Sequence, residues 1–576
     1  NNPFAVYIKD DGLYMVYLNS GEEVKIHDGK EFSYPSISKL GNHIAYTKGD
    51  SLYIFDIANN KYEKITEKIA AYGIFYDWVD DETIAYATNE KGFTKFNIIT
   101  GEKLDHIDEY NYFDIKASID NIIYARRMFQ WTTSEGDYGN NEGIVQIDLN
   151  KFDSNAKKFA TEIIVEGKNY TDEMLGYDPN IWDITGDGRY IFIKEKSASA
   201  SLSADMAGIG LYDTVERKHI DITDIFGGGE NDLIVLPYAD NLSINPKNNN
   251  IISVIKGASR EMIFNKEVVL LNLLENKTYK TTSFMDKSLV AMTPNFTIDG
   301  DKLLYSATKV ADISSNSDYN KAFQDWENQP HNIYEYDLKT SKVEKITKGD
   351  YFDFMPISIS EDEILFCRYK GNGHYSLIRL INGKEKVVVD NTIFDYENEG
   401  RAFGFYGHIE TEKALDIFIG RKALDSNTEI NKEQKDTMAK LYKLKGTKIG
   451  NNSGVGNILG LLKFPGELTR DGFQLFTKEE PYGLHVNFKA TTDTQMDYIF
   501  MSSDERWKSS SVILFSLIDN LDYIKYVIDD GNNKIVISST NRDYADTITT
   551  SVLGVKVSEI AKSKKGFSKF YDIFGN

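Results

Sequence analysis

A mainly β chain of repeated four-stranded antiparallel units, followed by a small α+β domain, is what the sequence predicts. Residues 35–66 carry the pattern. Strands at 36–38, 43–47, 52–57 and 62–66 are joined by Leu40-Gly41-Asn42, Lys48-Gly49-Asp50 and Ala58-Asn59-Asn60, residues that accept tight-turn or positive-φ geometry. The same grammar returns along the first 420 residues. A sheet this small cannot bury both of its faces alone, so the repetition implies packing against neighbours of the same kind. From about residue 430 the alternation gives way to helical patterns mixed with short strands, which marks a second domain.

Taken in order, residues 5–27 match the last three strands of that unit and lack its first. Full units follow at 35–66 and at about 76–104, where Thr83-Ile84-Ala85-Tyr86 stands in the place of Ile44-Ala45-Tyr46. A third starts near Asp114, with strands at 122–124 and 144–149 flanking a polar, Gly-containing stretch, 130–142, expected as an extended loop. A fourth opens on Ile181-Trp182-Asp183-Ile184-Thr185-Gly186-Asp187-Gly188, passes a Ser/Ala-rich loop at 197–207 and ends at 219–223. The fifth spans about 241–282, the sixth about 294–347 with an insertion at 307–332 expected as a surface loop, and the seventh about 356–390. Residues 403–410 then read as a first strand and 414–420 as a second, after which a polar stretch, 425–435, replaces the third. A late first strand that pairs with the N-terminal strands lacking one would close a ring and join both chain ends in one unit.

This pattern resembles the TolB-type and WD40-like β-propellers, whose blades often open with a Pro-x-x-Ser-Pro-Asp-Gly turn and continue into an Ile-Ala-Tyr-like strand. The turn survives here as Lys39-Leu40-Gly41-Asn42, Thr185-Gly186-Asp187-Gly188 and Ile298-Asp299-Gly300-Asp301. The resemblance covers about residues 5–420 and implies a β-propeller. Seven full units and one composite make eight blades, with seven possible. The domains are expected at 1–422 for the propeller and 423–576 for the α+β domain.

In the second domain, 432–444, 455–462, 510–521 and 543–555 read as helices, 473–477 and 484–489 as a hairpin, and 523–528 and 534–538 as strands. The segments Ile449-Gly450-Asn451-Asn452-Ser453-Gly454-Val455-Gly456-Asn457-Ile458 and Thr477-Lys478-Glu479-Glu480-Pro481-Tyr482-Gly483-Leu484 are similar to domain of unknown function 4825. That family occurs in Gram-positive bacteria, often on secreted, lipid-anchored or membrane-bound chains. The resemblance therefore implies an extracytoplasmic protein, secreted or a cell-surface lipoprotein, anchored through a segment outside this chain. The start at Asn1-Asn2-Pro3, without an initiator methionine, raises the same expectation.

Composition narrows the function. Over 576 residues, 41% are hydrophobic and 13% aromatic, including 36 tyrosines, which suits amphipathic β surface. A net charge of −22 repels phosphate backbones, so nucleic acid is excluded as a partner. The single cysteine, Cys367, sits in a strand pattern and reads as a small core residue, so no disulfide forms within the chain. No apolar run approaches a membrane-spanning length. A monomer is expected.

An α/β-hydrolase domain is excluded, because the chain has no Gly-x-Ser-x-Gly elbow and lacks the length such a domain needs after the propeller. The eight histidines show no metal-binding spacing, Gly227-Gly228-Gly229 lacks the lysine of a phosphate loop, and Asp183–Gly188 lacks the even oxygen spacing of a calcium loop. No metal or cofactor is expected. What remains is a recurring polar residue at or just before first strands: Asp77, Asp114, Asp183, Asp240, Asn295 and Asp353, with aromatic neighbours such as Trp78 and Trp182. In propellers those strands line the central channel. Asp77, Trp78, Asp114, Trp182, Asp183 and Asp353 are accordingly the expected ligand contacts.

The expected function is binding, sensing or scaffolding without catalysis, through a propeller face that takes a protein, peptide or small ligand. The alternative is an enzyme at the propeller mouth, a hydrolase or lyase on glycan or peptide, with paired carboxylates from that aspartate set as acid and base. Carboxylates that converge in the channel favour the enzyme. Carboxylates spread over the rim favour binding.

Overall fold

A computed structural model describes residues 2–69, 75–171, 173–174, 176–198, 208–222, 234–235, 239–257, 262–263, 266–273, 279–310, 319–394, 410–420, 432–465, 468–490, 505–529 and 534–574. The chain is mainly β, and its N-terminal part is built from small antiparallel sheets whose strands pair in sequence order. In one of them Phe32–Ile37, His43–Lys48, Ser51–Asp56 and Lys61–Thr66 form successive neighbours. The second strand is buried on both faces, with Ile44, Ala45 and Tyr46 fully covered, whereas the fourth is exposed from Lys61 to Lys64 and half-buried only at Ile65 and Thr66. Burial of both faces at once requires a neighbouring sheet on each side. First strands pack against the first strands of adjacent sheets, as Tyr76–Trp78 does against Asn111–Ala117 and Leu289–Phe296 against Phe352–Ser360. They therefore line the centre, and the fourth strands form the rim.

Several first strands are bent by a shared device. Tyr34, Asp114, Thr293 and Met355 all have left-handed backbone, φ between 51° and 52°, and each sits where the pairing with the second strand shifts register. An extra residue of this kind is a bulge, which bends the strand and re-aims the side chains beside it.

The two ends of this region share one sheet. Leu415–Phe418 pairs antiparallel with Phe4–Lys9, with Phe4 opposite Phe418 and Tyr7 opposite Leu415, and Phe4–Lys9 continues into Gly12–Tyr17 and Glu23–Asp28. Phe4–Lys9 also meets Lys384–Ile393 at one position, Ile8 opposite Ile393. Phe4, Ala5, Val6, Tyr7 and Ile8 are all buried, so this junction is core rather than edge. The closing partner is thus Leu415–Phe418, within the stretch expected as a second strand; the strand expected to close the sheet, 403–410, falls almost wholly outside the described residues, as do most of 197–207 and all of Gly227-Gly228-Gly229.

Two expected loops are regular structure. Residues 130–142 are the end of a long hairpin, Ile122–Thr133 with Gly136–Asp153, paired out to Thr133 opposite Gly136. The 307–332 insertion contains the helix Tyr319–Asn328, whose Ala322 and Trp326 are buried at 2% and 1% exposure.

The C-terminal residues fold around a core of their own. Strands Leu468–Phe476, Gly483–Ala490, Tyr523–Asp529 and Lys534–Asn541 form one sheet, with the middle pair parallel and joined across the helix Glu505–Leu517. Parallel neighbours require such a crossover. Asn451 caps the helix Asn452–Leu461 by accepting the Gly454 N–H at 2.9 Å, and Asn541 caps Arg542–Leu553 by accepting the Tyr544 N–H at 2.9 Å. Leu484, Val486, Phe488, Ile524, Tyr526 and Ile528 alternate onto the helix-covered face. The helices Val557–Ile560 and Lys564–Phe574 complete that cover and had no counterpart in the sequence reading. This domain docks on the propeller through a hydrogen bond from the Tyr544 hydroxyl to Asp187 and another from Arg189 Nη1 to the Ser539 carbonyl at 3.5 Å.

Candidate functional site

The centre of the propeller is where the ionisable groups gather. Asp77, Asp183 and Asp416 occupy corresponding places in three first strands, and each accepts the N–H of the residue after it, Trp78 at 2.8 Å, Ile184 at 2.8 Å and Ile417 at 2.9 Å. Asp77 uses its second oxygen to accept the Ala117 N–H of the next sheet at 2.8 Å, and Asp416 likewise accepts the Ile37 N–H at 2.8 Å. These two aspartates are clasps between sheets. Asp183 instead meets Lys116 Nζ at 3.6 Å, and its side chain keeps 47% exposure.

A single 3-10 turn, Thr411–Lys413, brings the closing segment into this region. The Thr411 N–H and hydroxyl donate to the two oxygens of Asp240 at 2.8 and 2.6 Å. The next residue, Glu412, lies within electrostatic reach of Lys116, Lys194, Glu410 and Asp183. Burial pushes the Asp240 carboxyl up to about 7 against the pull of the Thr411 bonds, with Glu412 and Glu410 adding to the rise. Asp416 is pushed up to about 6, again by burial first and by Asp77 and Glu412 after it, against two backbone N–H donors. Burial raises Glu412 as well, although Lys116 and Lys194 oppose it. Lys194 is lowered by burial, with repulsion from Lys116 outweighed in number by the nearby carboxylates Glu412, Asp114 and Glu410. A cavity of about 340 Å³ opens beside the turn, with Pro246, Asn295, Met355, Thr411 and Asp416 in its wall.

The structure thus brings Asp77, Asp183 and Asp114 into one neighbourhood, each within electrostatic reach of Lys116 or Lys194. Asp114 also accepts from Arg126 Nε at 3.2 Å, and Arg126 reaches on to Asp178 at 3.2 Å. Asp353 is engaged differently. It is fully buried and takes a two-pronged bond from Arg368, Nε at 2.7 Å and Nη2 at 3.0 Å, while Arg368 Nη1 holds Glu385 at 2.8 Å. Trp78 is 1% exposed and donates from Nε1 to the Ser36 carbonyl at 2.9 Å, and Trp182 is 3% exposed in a core cluster with Leu211 and Ile252. Neither indole faces the channel cavity.

Lys116, Lys194, Glu412 and Asp416 were missed from sequence. Asp416 had a signal: Leu415-Asp416-Ile417 repeats the apolar-Asp-apolar triplet of Tyr76-Asp77-Trp78 and Trp182-Asp183-Ile184. The lysines and Glu412 had none, because they meet only when separate sheets are assembled. Among the described residues no group of three or more His, Cys, Asp and Glu is arranged to hold a metal ion.

Fold and site together define a β-propeller with a charged, partly filled channel, followed by an α+β domain. Residues 441–540 of the latter match the family model described as Domain of unknown function (DUF4825). No curated protein sequence matches the chain. Among solved structures it is similar to a TolB candidate from Agrobacterium tumefaciens, at 10% identity and a TM-score of 0.28, over 72% of this chain and 98% of that one. It is similar to the β-propeller domain of the Trilobed protease from Pyrococcus furiosus, at 12% identity and 0.32, over 62% and 99%. It is also similar to dipeptidyl peptidase 4 from Porphyromonas gingivalis, at 9% identity and 0.42, over 66% and 57%. Further matches are peptidases too, and this chain spans 49–59% of the length of such peptidases. The expectation of a protein without catalysis is corrected here. Several of the structures it is similar to are peptidases, at 9–11% identity.

Proposed function

We propose that the protein is a hydrolase that cleaves peptides at the mouth of an eight-bladed propeller, with Asp183 as base and Glu412 as acid. The count of eight takes the joint at Ile8 and Ile393 as a contact between two blades, one ending in Lys384–Ile393 and one made of Leu415–Phe418 with the three N-terminal strands.

The observation that carries the reading is that two carboxyls in unlike surroundings, Asp183 on a first strand and Glu412 on the turn, lie within electrostatic reach of each other. Asp183 is salt-bridged to Lys116 and is the one of three corresponding aspartates that does not clasp a neighbouring sheet. Glu412, within its electrostatic reach, is biased toward its protonated form by burial. A half-exposed carboxylate beside a lysine and a buried carboxyl biased toward its protonated form supply a base and an acid together. Asp183 takes a proton from water as the oxygen adds to the substrate carbonyl, and Glu412 gives its proton to the leaving nitrogen as the C–N bond breaks. Lys116 and Lys194 face the charge that develops on the carbonyl oxygen. A channel of both signs suits a zwitterionic peptide better than a neutral glycan.

The test is turnover of a quenched-fluorescent peptide library by the full chain and by E412Q and D183N. Both variants should lose about 10²-fold or more in kcat/KM, the usual worth of a positioned acid or base, while their thermal midpoints stay near that of the parent. Absence of turnover on every peptide, or equal turnover in all three proteins, would remove the proposal.

A further inference from the structure

The C-terminal sheet covers one face with helices, leaves the other open, and meets the propeller along its edge strand Lys534–Asn541. On that second face His485, Lys525 and Ser539 lie side by side across three adjacent strands, since His485 is the register partner of Lys525 and Lys525 of Ser539. The row beside it holds Tyr523 opposite Asn541. Strand alternation dictates the placement, because Leu484, Val486, Ile524 and Tyr526 occupy the helix-covered face.

The propeller presents Arg189 to this row. Its guanidinium is fixed on several sides: Nη2 donates to Asp213 at 3.2 Å, the group lies 5.0 Å from the ring centre of Tyr190 and 5.8 Å from that of Tyr544, and Nη1 reaches the Ser539 carbonyl. Between the two domains is a cleft of about 360 Å³, lined by Arg189, His485, Lys525, Ser539, Thr540 and Asn541 among others. Glu216 is the one carboxylate in its wall among the described residues. Two cationic side chains, Arg189 and Lys525, thus share the wall of one cleft in a chain of net charge −22. Burial, with the Lys525 ammonium, lowers His485 below its ordinary value, so at neutral pH the ring is uncharged, and its Nε2 has no hydrogen-bond partner. Asn541 caps the twelve-residue helix Arg542–Leu553, so the positive end of that helix also opens on the cleft.

We propose that this cleft binds a small ligand bearing an oxyanion, a phosphate or a carboxylate, and that the ligand bridges the propeller and the C-terminal domain. The Arg189 guanidinium, the Lys525 ammonium and the Ser539 and Tyr523 hydroxyls are donors such a group takes, and the volume suits a small molecule. Because the donors come from both domains, occupancy stabilises their docking.

Isothermal titration of the full chain with inorganic phosphate and, separately, with succinate tests this at constant ionic strength. Saturable binding of either anion is expected, weakened about tenfold in K525Q, which removes the ammonium, and unchanged in K534Q, a lysine of the same sheet with 76% side-chain exposure. Lys525 is half-buried on a strand surface, so K525Q keeps the fold, which circular dichroism checks. Binding of phosphate alone assigns the ligand as a phosphate, and binding of succinate alone as a carboxylate. No saturable binding of either, or equal affinity in K525Q and K534Q, overturns the proposal.

Discussion

Asp183 and Asp416 share a local sequence pattern and a local hydrogen bond, and they part at the second carboxylate oxygen. Asp416 spends it on the Ile37 N–H, whereas Asp183 clasps no neighbouring sheet and meets Lys116 through the oxygen that also accepts the Ile184 N–H. D416A should therefore cost roughly 1–3 kcal/mol in urea unfolding, because it strands backbone N–H groups at the closing sheet; D183A should cost less. The contrast separates a clasp from a site residue. Asp240 makes a prediction about pH. Its carboxyl is pushed up to about 7 in the folded chain, mainly by burial. From the ordinary carboxylate range near pH 4 up to about 7, the folded state holds a proton that the unfolded state has released, so stability falls as pH rises through that window and levels above it. Asp416 acts in the same sense up to about 6. The thermal midpoint of D240N, followed from about pH 4 to 8, should decline less steeply than that of the parent. An equal slope would show that Asp240 is not buried in solution. The aspartates of the first strands were visible in sequence as a repeated residue type. Their division into clasps and a channel-facing group was not, because it depends on which neighbouring sheet offers an N–H and which a lysine.

At the scale of elements, the repeated strands were legible because burial on alternate or on both faces leaves an apolar pattern. Structure without that pattern was missed. The outer half of the Ile122–Thr133 and Gly136–Asp153 hairpin is exposed on both faces, so polar residues satisfy it and backbone pairing alone defines it. Its one apolar signal is the cross-strand pair Trp131 and Tyr138, with ring centres 5.8 Å apart. The helix Tyr319–Asn328 did carry a signal, Ala322, Phe323 and Trp326 at helical spacing, inside a segment otherwise polar. Trp326 anchors that helix in the main core, and W326A should destabilise the propeller by about 3–5 kcal/mol in chemical denaturation. A loss below about 1 kcal/mol would mean that the helix is a dispensable surface addition. The left-handed bulges at Tyr34, Asp114, Thr293 and Met355 left no common residue type, since the bend is imposed by packing around the centre rather than by glycine.

For the whole molecule, the two contacts that matter are the closing strand and the docking of the C-terminal domain. The first joins residues more than 400 positions apart in one sheet, Phe4 with Phe418, and makes the ring depend on both ends of its chain. The second rests in part on Tyr544, whose hydroxyl bonds to the Asp187 carboxylate in a turn between propeller strands. Hydrogen bonds to charged groups contribute about 1.5–3 kcal/mol, so Y544F should loosen docking without unfolding either domain. Calorimetry should then resolve separate transitions for the propeller and the C-terminal domain where the parent shows closer coupling. An unchanged profile would place the coupling in other contacts.

Taken alone, the order of residues determined the repeated sheets and the change of architecture near residue 430, because strand alternation, turn residues and helix periodicity are local properties; which strand closes on Phe4–Lys9 is a long-range pairing that only the structure decided. The residues also contain no Gly-x-Ser-x-Gly elbow. Only the tertiary structure decided which polar groups meet. Lys116, Lys194, Asp183, Asp240 and Glu412 come from distant parts of the chain, and their proton affinities follow from the burial and the charges that assembly places around them. The same holds between domains, where Arg189 meets Lys525 across a cleft that neither domain forms by itself.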